Sequence, residues 1–424
     1  MGKFTKAEKS WMMYDWANSA YSVIVTTAIF PIYYKAAAES AGVVPAYATA
    51  YLGYTISIST FMLAVLGPIL GTIADFKGMK EKFFRFFFWT GALSTAALFF
   101  APPSAWILLL VIYTITALGF RGANVFYDAY LVDVTAKERM DEVSARGFAL
   151  GYIGSVIPFV LCIALILMSQ REMIPLSIAD SSRTAFFITA LWWMVFTLPM
   201  LRNVKQKYGV ERQPRIIYTS FYRIGRTFKE IRRYRALFLF LIAYFFYIDG
   251  VGTIISMSTA YGTDLGLGSS ELILALLAVQ IVAAPFAFLF GKWAGRHGAK
   301  KLLYAGIWIY IVVCIYAMFL ETIVDFWILA MLVASAQGGI QALSRSFFAQ
   351  MVPKEKANEF FGFYNVFGRF AAVTGPFLVG LIAQLTGNTS YGVFSLVILF
   401  LIGIIVLLFV PDVSVSERKG QPEF

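Results

Sequence analysis

Long apolar segments alternate with short polar segments along the whole chain. Most of the apolar segments reach about 20 residues, the length of helix that crosses a hydrocarbon core. The pattern therefore predicts twelve membrane-spanning helices, of which the longer ones are tilted or protrude from the bilayer. The predicted spans are residues 11–36, 47–74, 83–101, 105–134, 143–169, 184–201, 236–261, 270–294, 301–320, 325–351, 358–386 and 391–410.

The composition indicates that lipid is the solvent of this chain. Hydrophobic residues make up 59% of the 424 residues and charged residues 14%, and the mean hydropathy is +0.73. Soluble domains carry about 25% charged residues. Because so much apolar surface could not be hidden from water, we expect an all-α membrane protein.

One loop signature occurs in each half of the chain, between two predicted spans. It combines spaced glycines with a lysine, and only the first copy carries an acid. The first copy consists of Gly71, Asp75, Gly78 and Lys80, and the second of Gly291, Gly295, Gly298 and Lys300. A second repeated stretch follows at residues 137–142 and 354–359. The repeats predict two six-helix bundles related by a pseudo-twofold axis along the membrane normal, because six spans are an even number.

The longest interruption between spans predicts the domain boundary. Residues 202–235 are rich in arginine and lysine, and residues 216–235 place apolar side chains on one face and bases on another. This pattern predicts an amphipathic helix on the inner membrane surface, or simply a linker between the bundles. We therefore expect an N-terminal bundle at 1–201, a basic linker at 202–235, and a C-terminal bundle with a short tail at 236–424.

The distribution of basic residues predicts the orientation. Of the 35 lysines and arginines, 29 lie in the N-terminal tail, the loops after even-numbered spans and the C-terminal tail. The positive-inside rule then places both termini in the cytoplasm of a multi-pass protein in the cell membrane, by expectation the bacterial inner membrane. The net charge of +11 is better explained by anionic lipid of the inner leaflet than by nucleic acid.

Two sets of residues resemble known families. The two loop signatures resemble the repeated loop of the major facilitator superfamily. The stretch Tyr14–Ser22, supported by Phe126–Leu131, is similar to the vacuolar effluxer family linked to autophagy in fungi and to its bacterial relatives. The resemblance implies a rocker-switch transporter, with helices one, four, seven and ten lining the path. The fungal branch implies amino-acid efflux, and the compact loops are closer to the bacterial branch.

Ionisable residues inside the spans are the first candidates for a transport site, because charges in a bilayer are costly and usually face a cavity or a partner. These residues are Asp15, Arg121, Asp128, Asp249, Arg345 and Arg369. Asp249 is the preferred carboxylate for titration or for binding a substrate amine, since a carboxylate in low dielectric can exchange a proton near neutral pH. The alternative is a permanent ion pair of Asp249 with Arg345 or Arg369.

The remaining candidates have a functional and a structural interpretation. Arg121 could fork onto a substrate carboxylate or tune a nearby acid. Asp15 and Asp128 could share a proton or bind a cation. The alternative favoured for these two acids is bonding at an inner gate to loop bases such as Arg146. Uncharged polar residues could contact substrate or bond between helices. They are Asn18, Ser19, Gln280, Gln337, Gln341 and Asn365.

The loop signature is interpreted as a gate that stabilises one conformation. Gly71 allows a close helix approach, Asp75 can dock onto the start of a neighbouring helix, and Gly78 makes the turn. Lys77 and Lys80 are expected to pin this turn to the inner leaflet. The second signature is expected to act in the same way.

The sequence favours transport over other functions. It lacks a phosphate-binding GxxxxGK[ST] run, and with one histidine and two cysteines it offers no catalytic or metal-binding constellation. We expect no cofactor, no enzymatic activity and a monomer. The leading hypothesis is secondary active transport or efflux of a small polar or zwitterionic metabolite, with protons as a possible coupling ion. The alternatives are an exporter or flippase of an amphipathic molecule, and a non-transporting receptor or scaffold.

Overall fold

The computed structural model describes residues 4–211, 222, 234–264, 269–320, 322–386 and 389–411. The helices of the first half are α1 Lys6–Tyr21, α2 Phe30–Ser40, α3 Pro45–Ala74, α4 Met79–Ala97, α5 Trp106–Ala129, α6 Leu131–Val134, α7 Met140–Gln170 and α8 Ile178–Asn203. Those of the second half are α9 Arg235–Asp264, α10 Ser269–His297, α11 Ala299–Tyr316, α12 Ile323–Met351, α13 Ala357–Thr386, α14 Thr389–Ser395 and α15 Val397–Leu408. A π-helical segment, Ser22–Ile29, joins α1 to α2.

Ten helices in the described ranges are long and apolar enough to cross a membrane. The other two predicted spans, 11–36 and 83–101, are also helical in large part. The first is divided among α1, the π segment and α2, and the second largely coincides with α4, whose first turn is charged. Large apolar side chains point outward along these helices, as expected where lipid replaces water as the surroundings.

Local sequence signals explain where several helices begin. Thr5 and Thr322 form capping boxes with Glu8 and Asp325, so the first N–H groups of α1 and α12 have side-chain partners. The signature glycine before α4, Gly78, has a φ of 74°, which a residue with a side chain adopts at a cost. The predicted turn at Gly78 is therefore present in the structure.

Helix packing occurs within each half and across the middle. In the first half, α1 packs on α7 and α8, and α4 packs on α5. In the second half, α9 packs on α13 and α15, and α12 packs on α11 and α10. The most extensive crossings between the halves are those of α3 with α13, α7 with α10, and α7 with α12, and α5 also contacts α13. We call the end of the molecule with residues 75–78 and 297–300 the signature end.

At the signature end, the backbones of α3 and α13 approach too closely for a side chain. A Cβ atom at Gly71 would lie 2.3 Å from the backbone oxygen of Asn358. A Cβ at Gly362 would lie 2.8 Å from the backbone oxygen of Gly67. In membranes, small residues at a crossing allow the van der Waals contact that holds helices together.

Replacing Gly71 by alanine should destabilise this crossing. We expect Gly71→Ala to lower the thermal midpoint of the detergent-solubilised protein, by overpacking that costs about 1–3 kcal/mol. Gly295→Ala is a matched control in the second signature, because its Cβ would meet nothing within 4 Å. Equal midpoints for the two variants would contradict the proposed close contact.

Candidate functional site

A cavity of about 260 Å³ lies between helices of the two halves. Most of the residues that line it are apolar or aromatic and four carry charged or amide side chains, a pattern typical of small-molecule sites. The lining residues are Asp128, Phe148, Tyr244, Ile248, Val251, Gly252, Ile255, Gln341, Arg345, Tyr364, Asn365 and Gly368. Because they come from α5, α7, α9, α12 and α13, a relative movement of the halves would reshape the cavity.

Arg345 on α12 is the centre of the polar cluster beside this cavity. The residue is 3% exposed. Its Nε donates to Ser144 Oγ at 3.0 Å, and its Nη2 donates to Asp15 Oδ2 and to the Ser144 backbone oxygen, both at 3.1 Å. Its Nη1 donates to Asp128 Oδ1 at 3.4 Å. Each acceptor belongs to the first half, so one guanidinium connects the two halves.

Aromatic rings cover the guanidinium of Arg345. Its Cζ lies 4.6 Å from the ring centroid of Trp11 and 4.4 Å from that of Phe148. Such cation–π contacts strengthen when water is excluded. The surroundings of Arg345 therefore compensate its burial through both carboxylates and rings.

The expected partner of Asp15 and Asp128 was wrong. Arg146 forms an ion pair with Glu142 on its own helix at 3.0 Å and stacks on Phe4. The two acids instead share Arg345, at 3.1 Å and 3.4 Å. Helical spacing predicted the depth of the two acids in the membrane. It could not predict which base of the other half contacts them.

Asp249 lies outside the cavity lining. It accepts a hydrogen bond from the Gly375 N–H at 2.9 Å and one from Thr253 Oγ1 at 3.4 Å, and the Thr374 side chain also bonds to it. The alternative ion pair of Asp249 with Arg345 is wrong, because Arg345 pairs with the acids of α1 and α5. The side chain of Arg369, the other predicted partner, lies outside the described part of the structure.

The bonds of Asp249 lie beside the proline that follows Gly375. Pro376 has no N–H, and its ring disrupts the hydrogen bonding of its own helical turn in α13. A Cβ at Gly375 would lie 2.8 Å from Asp249 Oδ1, so this position requires glycine. Asp249 thus connects α9 to the turn of α13 that contains the proline.

Two further sequence candidates bond to neighbouring helices. Arg121 Nη1 donates to Ser59 Oγ at 2.9 Å and to Thr60 Oγ1 at 2.6 Å on α3. Asn18 donates to Asn124 Oδ1 at 2.9 Å on α5. The structure places both side chains away from the cavity lining, whereas it places Gln341 in the lining.

The acid of the first signature docks across the halves. Asp75 Oδ1 accepts from the backbone N–H and the side-chain Nδ2 of Asn358, both at 2.9 Å, and Oδ2 accepts from the Glu359 N–H at 3.4 Å. These donors belong to the first turn of α13, where the helix dipole favours a negative charge. The structure therefore has the predicted docking of Asp75 onto the start of a neighbouring helix.

The predicted role of Lys80 was wrong. Its side chain is fully buried, and its Nζ lies 2.6 Å from Asp133 Oδ2 instead of facing lipid head groups. Asp133 Oδ1 also accepts from the backbone N–H groups of Lys207 and Tyr208, at 2.8 Å and 3.0 Å. Lys77 remains exposed and pairs with Glu211. The start of the linker is thereby attached to the first signature.

The second signature lacks an acid, and a different carboxylate connects the halves beside it. Lys300 donates to backbone oxygens at the end of α15 and just after it. Asp141, at the start of α7, accepts from Ser346 Oγ at 2.5 Å and from Gln350 Nε2 at 2.8 Å on α12. Asp75, Asp141 and Arg345 with their partners form the signature-end seal. Sequence reasoning missed Asp141 and Asp133, because neither lies deep in an apolar segment.

The bonds of Asp249 predict a stabilising role that can be measured without substrate. We expect Asp249→Ala to lower the thermal midpoint, because hydrogen bonds to a charged group contribute about 1.5–3 kcal/mol. Glu39→Ala serves as control, since this acid is exposed at the end of α2. If both variants unfold at the wild-type temperature, the connection between α9 and α13 does not stabilise the fold.

Comparison with known proteins identifies the family. Residues 44–420 match the model of the family described as vacuole effluxer Atg22 like. The MFS-type transporter YxiO of Bacillus subtilis strain 168 is 63% identical over 99% of this chain and 98% of its own length. Autophagy-related protein 22 of Saccharomyces cerevisiae S288c is 23% identical over 87% of this chain and 79% of its own.

Solved structures agree on the fold. The human organic anion transporter MFSD10 has a TM-score of 0.71 at 12% identity, covering 95% of this chain and 99% of its own. The transporter FucP in its outward conformation has a TM-score of 0.67 at 13% identity, covering 96% and 98%. The expected all-α membrane fold, in which twelve helices form two bundles, is thereby confirmed.

YxiO, MFSD10 and FucP are named as transporters, and the expectation that the chain is not an enzyme is confirmed. The resemblance seen in the loop signatures and in helix one is confirmed as well. The chain is a multi-pass membrane protein of the MFS type, and it belongs to the Atg22-like vacuole effluxer family.

Proposed function

We propose that this protein is a secondary active transporter of a small zwitterionic metabolite, in the class of the amino acids, working by alternating access. The observation that carries the proposal is the pairing of a carboxylate and a guanidinium, Asp128 and Arg345, in the wall of one cavity between the halves. A zwitterion presents the complementary ammonium and carboxylate groups. Gln341 and Asn365 offer further hydrogen bonds in the same wall.

The signature-end seal supports alternating access. Asp75, Asp141 and Arg345 each bond across the halves, Asp75 at the signature end itself and Arg345 in the wall of the cavity. We infer that these bonds close the cavity toward the signature end. Transport requires the seal to break while the opposite ends of the helices come together. The moving bundles would be residues 1–201 and 236–424, and residues 202–235 would be their linker.

We further propose that the signature end faces the cytoplasm of the cell membrane, with both termini on that side. The concentration of 29 of the 35 basic residues supports this orientation. The conformation is then outward-facing, the state named for the structural neighbour FucP. The basic linker would lie against the anionic inner leaflet, and a monomer is sufficient because both halves belong to one chain.

The family description supports efflux as the direction of transport that we propose. Relatives are described as vacuole effluxers, which favours export from the compartment where the substrate accumulates. The bonding of Asp249 to α13 favours Asp128 over Asp249 as the group that would exchange a coupled proton. Asp128 contacts the guanidinium that connects the halves, so a change in its charge would act on the seal.

Counterflow in proteoliposomes tests the proposed function. Vesicles that contain the purified protein and a high internal concentration of one amino acid are given a trace of the same labelled amino acid outside. We expect transient accumulation of label for at least one amino acid, and faster exchange or net accumulation when a pH gradient is imposed. Protein-free vesicles provide the control.

A different outcome would replace this proposal. If no amino acid exchanges and a labelled lysolipid instead moves between leaflets, the cavity serves an amphipathic substrate. If neither moves in vesicles of verified content, the proposed transport activity is wrong.

A further inference from the structure

We propose that Asp128 is the subsite for a substrate ammonium group, and that occupying this subsite weakens the bond between Asp128 and Arg345. The inference rests on the proposed function and names the chemical group that the cavity recognises. It assigns different roles to two carboxylates that share one guanidinium: Asp128 binds the substrate, and Asp15 holds Arg345.

The bonds of Arg345 are unequal in length. Those to Asp15 and Ser144 measure 3.0–3.1 Å, within the usual range for N–H···O bonds, whereas the bond to Asp128 measures 3.4 Å. Three of the five guanidinium N–H groups are therefore used by Asp15 and Ser144. The contact of Arg345 with Asp128 is the weakest of the set and the easiest to exchange.

Asp128 has acceptor capacity that the described side chains leave unused. Besides the contact with Arg345, its Oδ2 accepts from Asn365 Nδ2 at 3.5 Å, again a long bond. An ionised carboxylate can accept about four hydrogen bonds. The Asp128 side chain is 15% exposed, against 9% for Asp15 and 4% for Arg345, and it lines the cavity. A partly desolvated carboxylate with weak partners favours a charged N–H donor.

The walls beside Asp128 suit a cation as well. The rings of Tyr244 and Tyr364 stack at a centroid distance of 4.4 Å, and both residues line the cavity. Tyrosine faces attract ammonium groups. The amide oxygens of Gln341 and Asn365 can accept the N–H groups that do not reach the carboxylate. The predicted ligand is therefore a primary ammonium group.

A carboxylate ligand alone would meet less favourable surroundings. Rings of Trp11 and Phe148 cover the guanidinium, and Ser144 and Asp15 occupy its Nε and Nη2. Nη1, which bonds to Asp128, is the nitrogen with an N–H group left, so a substrate anion has one nitrogen to approach, beside a fixed negative charge. This arrangement makes the amine the group by which the cavity selects its substrate.

Binding at Asp128 has a consequence for the seal. Asp128 belongs to α5 in the first half and Arg345 to α12 in the second. An ammonium group that takes over Asp128 competes with the Asp128–Arg345 bond, so one connection between the halves weakens when the cavity is occupied. Asp15 keeps Arg345 neutralised during this exchange.

Competition against counterflow tests the subsite. The probes are L-alanine, L-leucine and L-tyrosine, each compared with its N-acetyl derivative and with the decarboxylated amine: ethylamine, isoamylamine and tyramine. In the wild type we expect each decarboxylated amine still to compete. We expect N-acetylation of the amino acid to weaken competition about 10- to 100-fold, because a charged hydrogen bond is lost. In Asp128→Asn, the free amino acid and its N-acetyl derivative should compete about equally well.

Two variants separate the subsite from the seal. Asp15→Asn removes the other partner of Arg345 and should change exchange rates while keeping the discrimination against N-acetyl compounds. Asp128→Glu keeps a carboxylate and should keep discrimination too. Equal competition by amine and N-acetyl ligands in the wild type would overturn the subsite without any variant, and so would full discrimination in Asp128→Asn. Absence of exchange for every amino acid in the wild type would instead remove the proposed function, and the subsite with it.

Discussion

A single buried guanidinium imposes the main constraint on this molecule. Arg345 lies in a part of the chain that lipid surrounds, where an uncompensated charge is costly, and its carboxylate partners both belong to the other half of the chain. The two halves can therefore separate at the signature end only if Asp15 and Asp128 find other partners or lose their charge. Because Asp128 lies in the wall of the cavity, a bound substrate can supply another partner for this acid.

The repeated halves use the same packing with different charges. The first glycine of each signature approaches a backbone oxygen at the start of a helix from the other half, Gly71 at Asn358 and Gly291 at Asp141. In the first half the acid is Asp75, in the signature, and its partner is the amide Asn358. At the crossing of Gly291 the acid is Asp141, which belongs to the first half and occupies the position equivalent to that amide.

Hydropathy and charge predicted most of the fold, because membrane spans need long apolar segments and signature turns need glycine. The sequence could not predict which ionisable groups meet. Asp249 and Asp128 both lie in apolar helices, but only helix rotation decides that one contacts α13 and the other the cavity. Lys80 lies in a charged stretch of the kind found at the surface, yet its side chain is buried and pairs with Asp133, which is distant in sequence. These outcomes depend on tertiary contacts that neither spacing nor periodicity records.

The dependence of the closed signature end on Arg345 can be measured directly by double electron–electron resonance. Spin labels at Lys82 and Lys301, exposed residues near the starts of α4 and α11, report the separation of the halves when Cys162 and Cys314 are replaced. We predict one short distance without substrate, and an added population at longer distance in Arg345→Gln. An unchanged distance distribution in Arg345→Gln would contradict this prediction.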